Sequence, residues 1–204
     1  MRIPAVEGEI KRSGGRAIAY VQFSTFSRGA HGELRAEIEE LYRQGAEGLV
    51  LDIRGNGGGL LQEAVLVTSL FVEDGPIVTT GGRNRPEQTL EAAGDAIDPR
   101  PMVVLINGDT ASASEILAAA LQQNDLATLV GATTFGKGVF QEVIELESGA
   151  ALDLTVGEYL TADGSSILGK GVEPDAEIDD QDLSDGDRTL ARGLAIVARE
   201  IDAG

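Results

Sequence analysis

The sequence predicts an α/β fold: a layered core of alternating strands and helices, with an added β region toward the C-terminus. Three observations carry that prediction. Short, continuously apolar runs alternate with segments of helical period through the first two thirds of the chain, as in strand–helix–strand units. The last third brings two strand-like segments separated by only a few turn-forming residues, the mark of a hairpin. At 204 residues with 42% apolar content, the chain can bury one substantial core.

Taken in order, Ala17-Ile-Ala-Tyr-Val-Gln-Phe23 reads as a strand and Ser24 to Ala30 as a loop. His31 to Gln44 spaces Leu34, Ile38 and Leu41 at helical period, with acidic residues elsewhere, and so reads as an amphipathic helix. Gly48-Leu-Val-Leu-Asp-Ile53 is a continuous apolar run, expected of a parallel strand buried on both faces. Arg54-Gly-Asn-Gly-Gly-Gly59 is a loop, Leu60 to Val72 a helix and Pro76 to Thr80 a short strand. Gly81 to Pro101 is polar and rich in turn formers, which predicts a surface excursion, a hairpin or a mobile flap. Met102 to Ile106 is the next buried strand, Ser112 to Gln123 an alanine-rich helix and Ala127 to Val130 a short strand. Val139 to Leu146 and Ala151 to Val156 pair as a hairpin across Glu147 to Ala150. A turn at Ala162-Asp-Gly164, a terminal strand at Pro174 to Ile178 and an acidic linker from Asp179 to Asp187 follow. Arg188 to Ile201 is a last helix with Leu190, Leu194, Val197 and Ile201 on one face. One domain over residues 1–204 is expected, with the 179–204 linker and helix packed on or next to the core.

Charge and composition narrow the function. A net charge of −18 argues against nucleic acid or an anionic membrane as the main partner, because both repel acidic faces. The absence of cysteine excludes disulfides, thiol catalysis and cysteine-ligated zinc. No apolar run approaches the roughly 20 residues needed to span a bilayer. Nothing at Met1-Arg2-Ile3-Pro4 has the form of a signal peptide, so an exported protein would be represented here by a trimmed chain. No carboxylate cluster has metal-ligand spacing, and no cofactor or metal is expected.

The chemistry gathers around Asn107-Gly-Asp-Thr-Ala-Ser112-Ala-Ser-Glu-Ile116, where a buried strand turns into a helix. A side chain at such a junction sits where free N–H groups and the positive end of the helix dipole point, a favourable place for an anionic intermediate. Ser112 is therefore a candidate nucleophile. Ser112-Ala-Ser-Glu115 also fits a capping box, a purely structural role. Asp109 and Thr110 are competing caps that would leave the Ser112 hydroxyl free. Ser114 lies roughly opposite on the helix and cannot share one site with Ser112.

Phe135-Gly-Lys137-Gly138 sets a lysine between two glycines, which permit close approach of other backbone. A lysine base must be neutral, while free lysine titrates near ~10.4; burial without a carboxylate partner lowers such a value. Lys137, Val139 and Gln141 share one parity along an extended segment, and a neutral amide such as Gln141 orients an amine without adding charge. The alternative reading is a solvated hairpin lysine and an ordinary strand glutamine. Gly131-Ala-Thr-Thr-Phe-Gly-Lys137-Gly138 also imitates a phosphate-binding P-loop. It departs from one twice, with Gly138 in place of the metal-binding Ser/Thr and a strand-like segment where a helix must follow. Gly57-Gly58-Gly59 suggests either a tight turn or a backbone N–H brought up as an oxyanion donor; Leu60 spoils a dinucleotide fingerprint. His31 is expected to be solvated and lacks the partners of a Ser-His-Asp triad. Asp52 and Arg54 are expected to be a structural pair anchoring the loop.

Together, Gly48 to Gly59, Ala111-Ser-Ala-Ser-Glu-Ile116, Thr134-Phe-Gly-Lys-Gly138, Gly164-Ser-Ser-Ile167 and Gly171-Val-Glu-Pro-Asp175 resemble, in order and spacing, the carboxyl-terminal processing peptidases, or tail-specific proteases. The resemblance runs from about Gly8 to Ile178. It implies Ser112 as nucleophile, Lys137 as general base, Gln141 orienting Lys137, and the N–H groups of Gly58 and Ala113 as the oxyanion hole. It implies a core similar to the crotonase and Clp-protease spiral, a layered β-β-α arrangement, and protein substrates cut near their C-terminal tails outside the cytoplasm. An oligomer is compatible with it. Two departures stand out. The family usually carries a PDZ module before the segment matching Ala17 to Phe23, and about sixteen residues are too few for one. Gln123 stands where many members have an acid, so a helper carboxylate is absent or comes from Asp125. A different class of function, a catalytically silent peptide-binding or assembly module of the same fold, follows if the missing module took regulated catalysis with it.

Overall fold

The computed structural model describes residues 4–83, 85–145, 151–178 and 186–204. The first half holds β1 (Val6–Ser13), β2 (Arg16–Phe23), α1 (Ala30–Arg43), β3 (Gly48–Asp52), α2 (Leu61–Thr68), β4 (Pro76–Gly82) and β5 (Arg85–Glu91). The second half holds β6 (Met102–Ile106), α3 (Ala113–Gln123), β7 (Thr128–Gly131), β8 (Val139–Glu145), β9 (Ala151–Thr161), β10 (Ala176–Glu177) and α4 (Arg188–Ala203). The larger sheet has the order β1-β2-β3-β6-β7-β10. Its strands run parallel except β1, which pairs antiparallel with β2.

This sheet explains the unbroken apolar runs. Ala19, Val21, Leu49, Leu51, Val104, Ile106 and Leu129 pack against α1, α2 and α3. Their neighbours Ile18, Tyr20, Val50, Val103, Leu105 and Val130 pack against α4. Both faces are covered, so no position in β3 or β6 needs to be polar. The loops following β2, β3, β6 and β7 all leave at the same edge, where open α/β sheets carry their sites.

The smaller sheet, β5-β4-β9-β8, is antiparallel. Ile77, Val78 and Tyr159 bring it against Val65 of α2 and Ile116 of α3. Residues of α2 and α3 therefore pack against both sheets and lie between them. Short side chains permit this, since every residue of α3 from Ala113 to Leu121 is buried.

Several boundaries move for identifiable reasons. β1 escapes the sequence reading because its residues are largely polar, as an edge strand allows. The Gly81–Pro101 excursion contains β5, a hairpin partner of β4 rather than a flap. β9 extends past Val156 to Thr161 because it leaves β8 and pairs onward with β4. α2 stops at Thr68, short of Val72. The hairpin turn 147–150 and the 179–185 part of the acidic linker lie outside the described residues. No helix among the described residues is long and apolar enough to cross a membrane.

Candidate active site

Ser112 is the N-cap of α3, with φ 58° and ψ −118°. A non-glycine residue there is strained by about 1–3 kcal/mol and persists only where its surroundings impose it. Two loops supply that constraint. The Asn107 side-chain oxygen accepts the N–H groups of Gly55 at 2.9 Å and Asp109 at 3.2 Å. Thr110 donates its hydroxyl to the Ile53 carbonyl at 3.1 Å. The Asn56 carbonyl accepts the Ala111 N–H at 3.0 Å and the Ser114 hydroxyl at 2.9 Å. Neither Asp109 nor Thr110 is the cap. Glu115 does accept the Ser112 N–H at 2.7 Å, as in a capping box. The reciprocal half is only a close approach: the Ser112 side chain faces the Glu115 N–H without a well-formed hydrogen bond, and that N–H goes to the Ser112 carbonyl at 2.9 Å. The half-buried Ser112 hydroxyl is thus not consumed by capping.

Glu115 does more than its motif suggests. It is fully buried, and four donors converge on its carboxylate. One oxygen accepts the Thr134 hydroxyl at 2.6 Å and the Gly136 N–H at 2.7 Å. The other accepts the Ser112 N–H at 2.7 Å and the Lys137 N–H at 2.9 Å. A single oxygen therefore ties the backbone of the candidate nucleophile to that of the candidate base. The sequence carried a signal for this: Glu115 is the one charged residue in α3.

The glycines beside Lys137 are needed for close packing. A side chain at Gly136 would meet the backbone nitrogens of Gly169, Lys170 and Gly171 at 3.0–3.1 Å, and one at Gly138 would meet Leu168 backbone at 2.6 Å. Lys137 itself is exposed, not buried. It precedes β8, and a bulge between Phe140 and Gln141 interrupts the alternation that would align Lys137, Val139 and Gln141. Gln141 is exposed, and no hydrogen bond joins it to Lys137. The segment after the P-loop-like run is strand β8, so no helix N-terminus receives a phosphate there.

Gly58 has φ +98°, and a side chain on it would strike the Ala111 carbonyl at 2.8 Å, the Ala113 nitrogen at 2.9 Å and Ser112 at 3.0 Å. The glycine loop is pressed directly onto the serine turn. The Gly58 N–H donates to the Asn56 side-chain oxygen at 2.9 Å. The Ala113 N–H opens α3 and has no acceptor among the described residues. Asn56 is fully buried and was missed from sequence, where its type is common in turns.

Beneath the loop, Arg54 bonds Asp52 at 2.6 Å and Asp187 at 2.7 Å, and the Tyr20 hydroxyl donates to Asp52 at 2.8 Å. Burial and the neighbouring Asp52 carboxylate both raise the Tyr20 hydroxyl well above its usual range. Burial pushes the Asp187 carboxyl up, but hydrogen bonds from Arg54 and the Leu190 N–H, with the Arg54 charge, outweigh it and leave the group below the usual aspartate value. The pair is structural, as expected. His31 is not simply solvated: its ring bonds the buried Glu63 carboxylate at 2.8 Å, and Glu63 also accepts the Gly29 N–H at 2.7 Å. Gln123 is the last residue of α3 and carries no carboxylate. Asp125 follows the far end of α3, about 16 Å of helix from Ser112, so neither supplies a helper carboxylate beside Ser112. A cleft of about 970 Å³ is lined by Phe23, Arg54, Asn107 and Asp187, but by neither Ser112 nor Lys137. No metal-holding group of histidine and carboxylate side chains occurs among the described residues.

The model of Peptidase family S41 matches residues 17–178. The carboxyl-terminal-processing protease of Synechocystis sp. is 43% identical over 165 residues, covering 81% of this chain and 39% of that protein. The carboxy-terminal processing protease CtpA of Bacillus subtilis is 38% identical over 182 residues, 86% of this chain and 39% of that protein. The solved photosystem II D1 C-terminal processing protease superposes with a TM-score of 0.81 at 34% identity, covering 96% of this chain and 52% of its own. The chain thus spans well under half the length of these curated relatives.

Proposed function

The chain belongs to peptidase family S41, and on that premise we propose that it is the catalytic core of a serine endopeptidase that cuts protein substrates near their C-terminal tails. The observation that carries the proposal is the shared Glu115 oxygen, which holds the Ser112 and Lys137 N–H groups together. Neutral Lys137 takes the Ser112 hydroxyl proton as the oxygen attacks the scissile carbonyl. The Ala113 and Gly58 N–H groups receive the oxyanion. The ammonium then protonates the leaving amine, which departs from the acyl-enzyme. Lys137 next accepts a proton from water as the hydroxide attacks the acyl carbonyl; the Ser112 oxygen leaves with that proton returned from the ammonium, and the product departs as the acid. Gln141 orients the lysine once substrate covers the site and excludes water from the exposed amine. In this reading the core is kin to the crotonase and Clp-protease layered folds. Tail recognition falls to a PDZ module or regulatory partner outside the 204 residues, and an oligomer is compatible with this reading. Work outside the cytoplasm, in the cell envelope or a comparable compartment, is part of the same proposal.

The exposed lysine and the engaged Gly58 N–H favour a second reading, a silent peptide-binding module. A peptidyl phosphonate separates the two. Covalent labelling of Ser112, found by peptide mass spectrometry and lost in Ser112→Ala, supports the peptidase. Ser112→Ala is expected to lower kcat on an unfolded protein substrate by about 10³-fold or more. Peptide binding without labelling supports the module, and unchanged cleavage by a folded Ser112→Ala protein rejects Ser112 as nucleophile.

A further inference from the structure

We propose that Asn56 is the positioning residue of the oxyanion site, holding the Gly58 N–H at rest and yielding it only to a charged oxygen. The inference rests on the serine-peptidase reading. Asn56 is fully buried at the meeting point of three segments. Its side-chain nitrogen donates to the Phe23 carbonyl at 2.8 Å, at the end of β2. Its own carbonyl accepts from Ala111 and Ser114, on either side of Ser112. Its side-chain oxygen takes the Gly58 N–H at 2.9 Å.

An amide has one hydrogen. While it points at Asn56 it does not point at a substrate carbonyl, although the Gly58 α-carbon is pressed against the Ser112 turn. The Asn56 oxygen is a neutral acceptor, comparable to the carbonyl of an intact peptide bond. Exchanging one for the other gains nothing. Hydrogen bonds to an ionised acceptor are about twice as strong as neutral ones, so the exchange becomes favourable when charge develops on the substrate oxygen. A donor held this way binds the transition state better than the ground state, which is what acceleration requires.

The loop is built for that exchange. Only the Gly57–Gly58 peptide has to turn, and glycine on both sides makes the rotation easy. Gly57 is exposed, with nothing within 4 Å of a side chain placed there. The remaining Asn56 bonds stay in place, so the nucleophile turn keeps its shape.

The test uses the whole ¹⁵N-labelled chain and a peptide boronate, which forms a tetrahedral anion on a serine oxygen. Adduct formation at Ser112 is scored by mass spectrometry. The expected result is a downfield shift of the Gly58 amide proton on adduct formation, while the Asn56 side-chain amide, still held by Phe23, does not move. An adduct at Ser112 with an unmoved Gly58 amide overturns the role of Asn56 and leaves the peptidase reading standing. No adduct at Ser112 removes the peptidase reading and this inference with it.

Discussion

Ser112 stores strain that a glycine there would not. Its φ of 58° and ψ of −118° fall where glycine moves freely and other residues do not. A strained strand-to-helix turn lifts a side chain clear of the backbone, as in the nucleophile elbow of α/β-hydrolases. Ser112→Gly is therefore expected to be more stable than Ser112→Ala by about 1–2 kcal/mol, measured by urea denaturation of both. Equal stabilities would mean that the turn is not strained. Glu115 gives a second residue-scale prediction. Glu115→Gln turns an amide group toward at least one of four donors, leaving a buried mismatch of about 1–3 kcal/mol. The midpoint of thermal unfolding falls, and phosphonate labelling of Ser112 slows by about tenfold or more because two backbones lose their common anchor. The S-x-x-E spacing made both residues visible in the sequence. What it could not show is that an acid at the third helical position would also bind Thr134, Gly136 and Lys137, because those partners are distant along the chain.

At the scale of elements, α4 is pinned at its first turn. Asp187 caps the helix by accepting the Leu190 N–H at 2.9 Å and pairs with Arg54 at 2.7 Å. Its folded-state carboxyl lies below the ordinary aspartate value of 3.8. The stabilisation it brings is thus present above that value and is lost as pH falls through it toward the lower folded value. Asp187→Asn keeps a capping side chain but loses the ion pair. With the pair partly exposed, it is expected to cost about 1 kcal/mol at neutral pH, a difference that fades below about pH 4. Equilibrium unfolding of both proteins across that range checks it. The helices α1 and α4 were legible because their apolar residues keep a single period. β1 was not, since an edge strand with one partner needs little apolar patterning. The bulge at Phe140 and Gln141 was equally hidden, because one extra residue in a strand leaves no mark in composition.

Over the whole molecule the layers run α4, large sheet, α1 to α3, small sheet. The sequence showed strands buried on both faces, and so a sheet covered twice. It did not show that Val65 and Ile116 would give α2 and α3 a second apolar side, because a helix of small residues looks the same whether it is covered once or twice. Ending the chain before Arg188 is expected to bare Ile18, Tyr20, Val50, Val103, Leu105 and Val130. A patch of that kind exceeds what a soluble surface tolerates. The shortened chain should bind a hydrophobic dye strongly or precipitate; a soluble monomer with native near-ultraviolet dichroism would show that α4 is dispensable.

On the proposed peptidase reading, the helix between the two sheets has a consequence for tuning the Ser112–Lys137 pair. With α3 wedged from both sides, the alcohol it presents is the stationary reference point, whereas the amine rides on an outer strap clasped to residues 168–171. A search for faster or regulated variants is best spent on that clasp. Substitutions under the alcohol would mainly disturb folding, while those along the strap would alter how often the two groups meet.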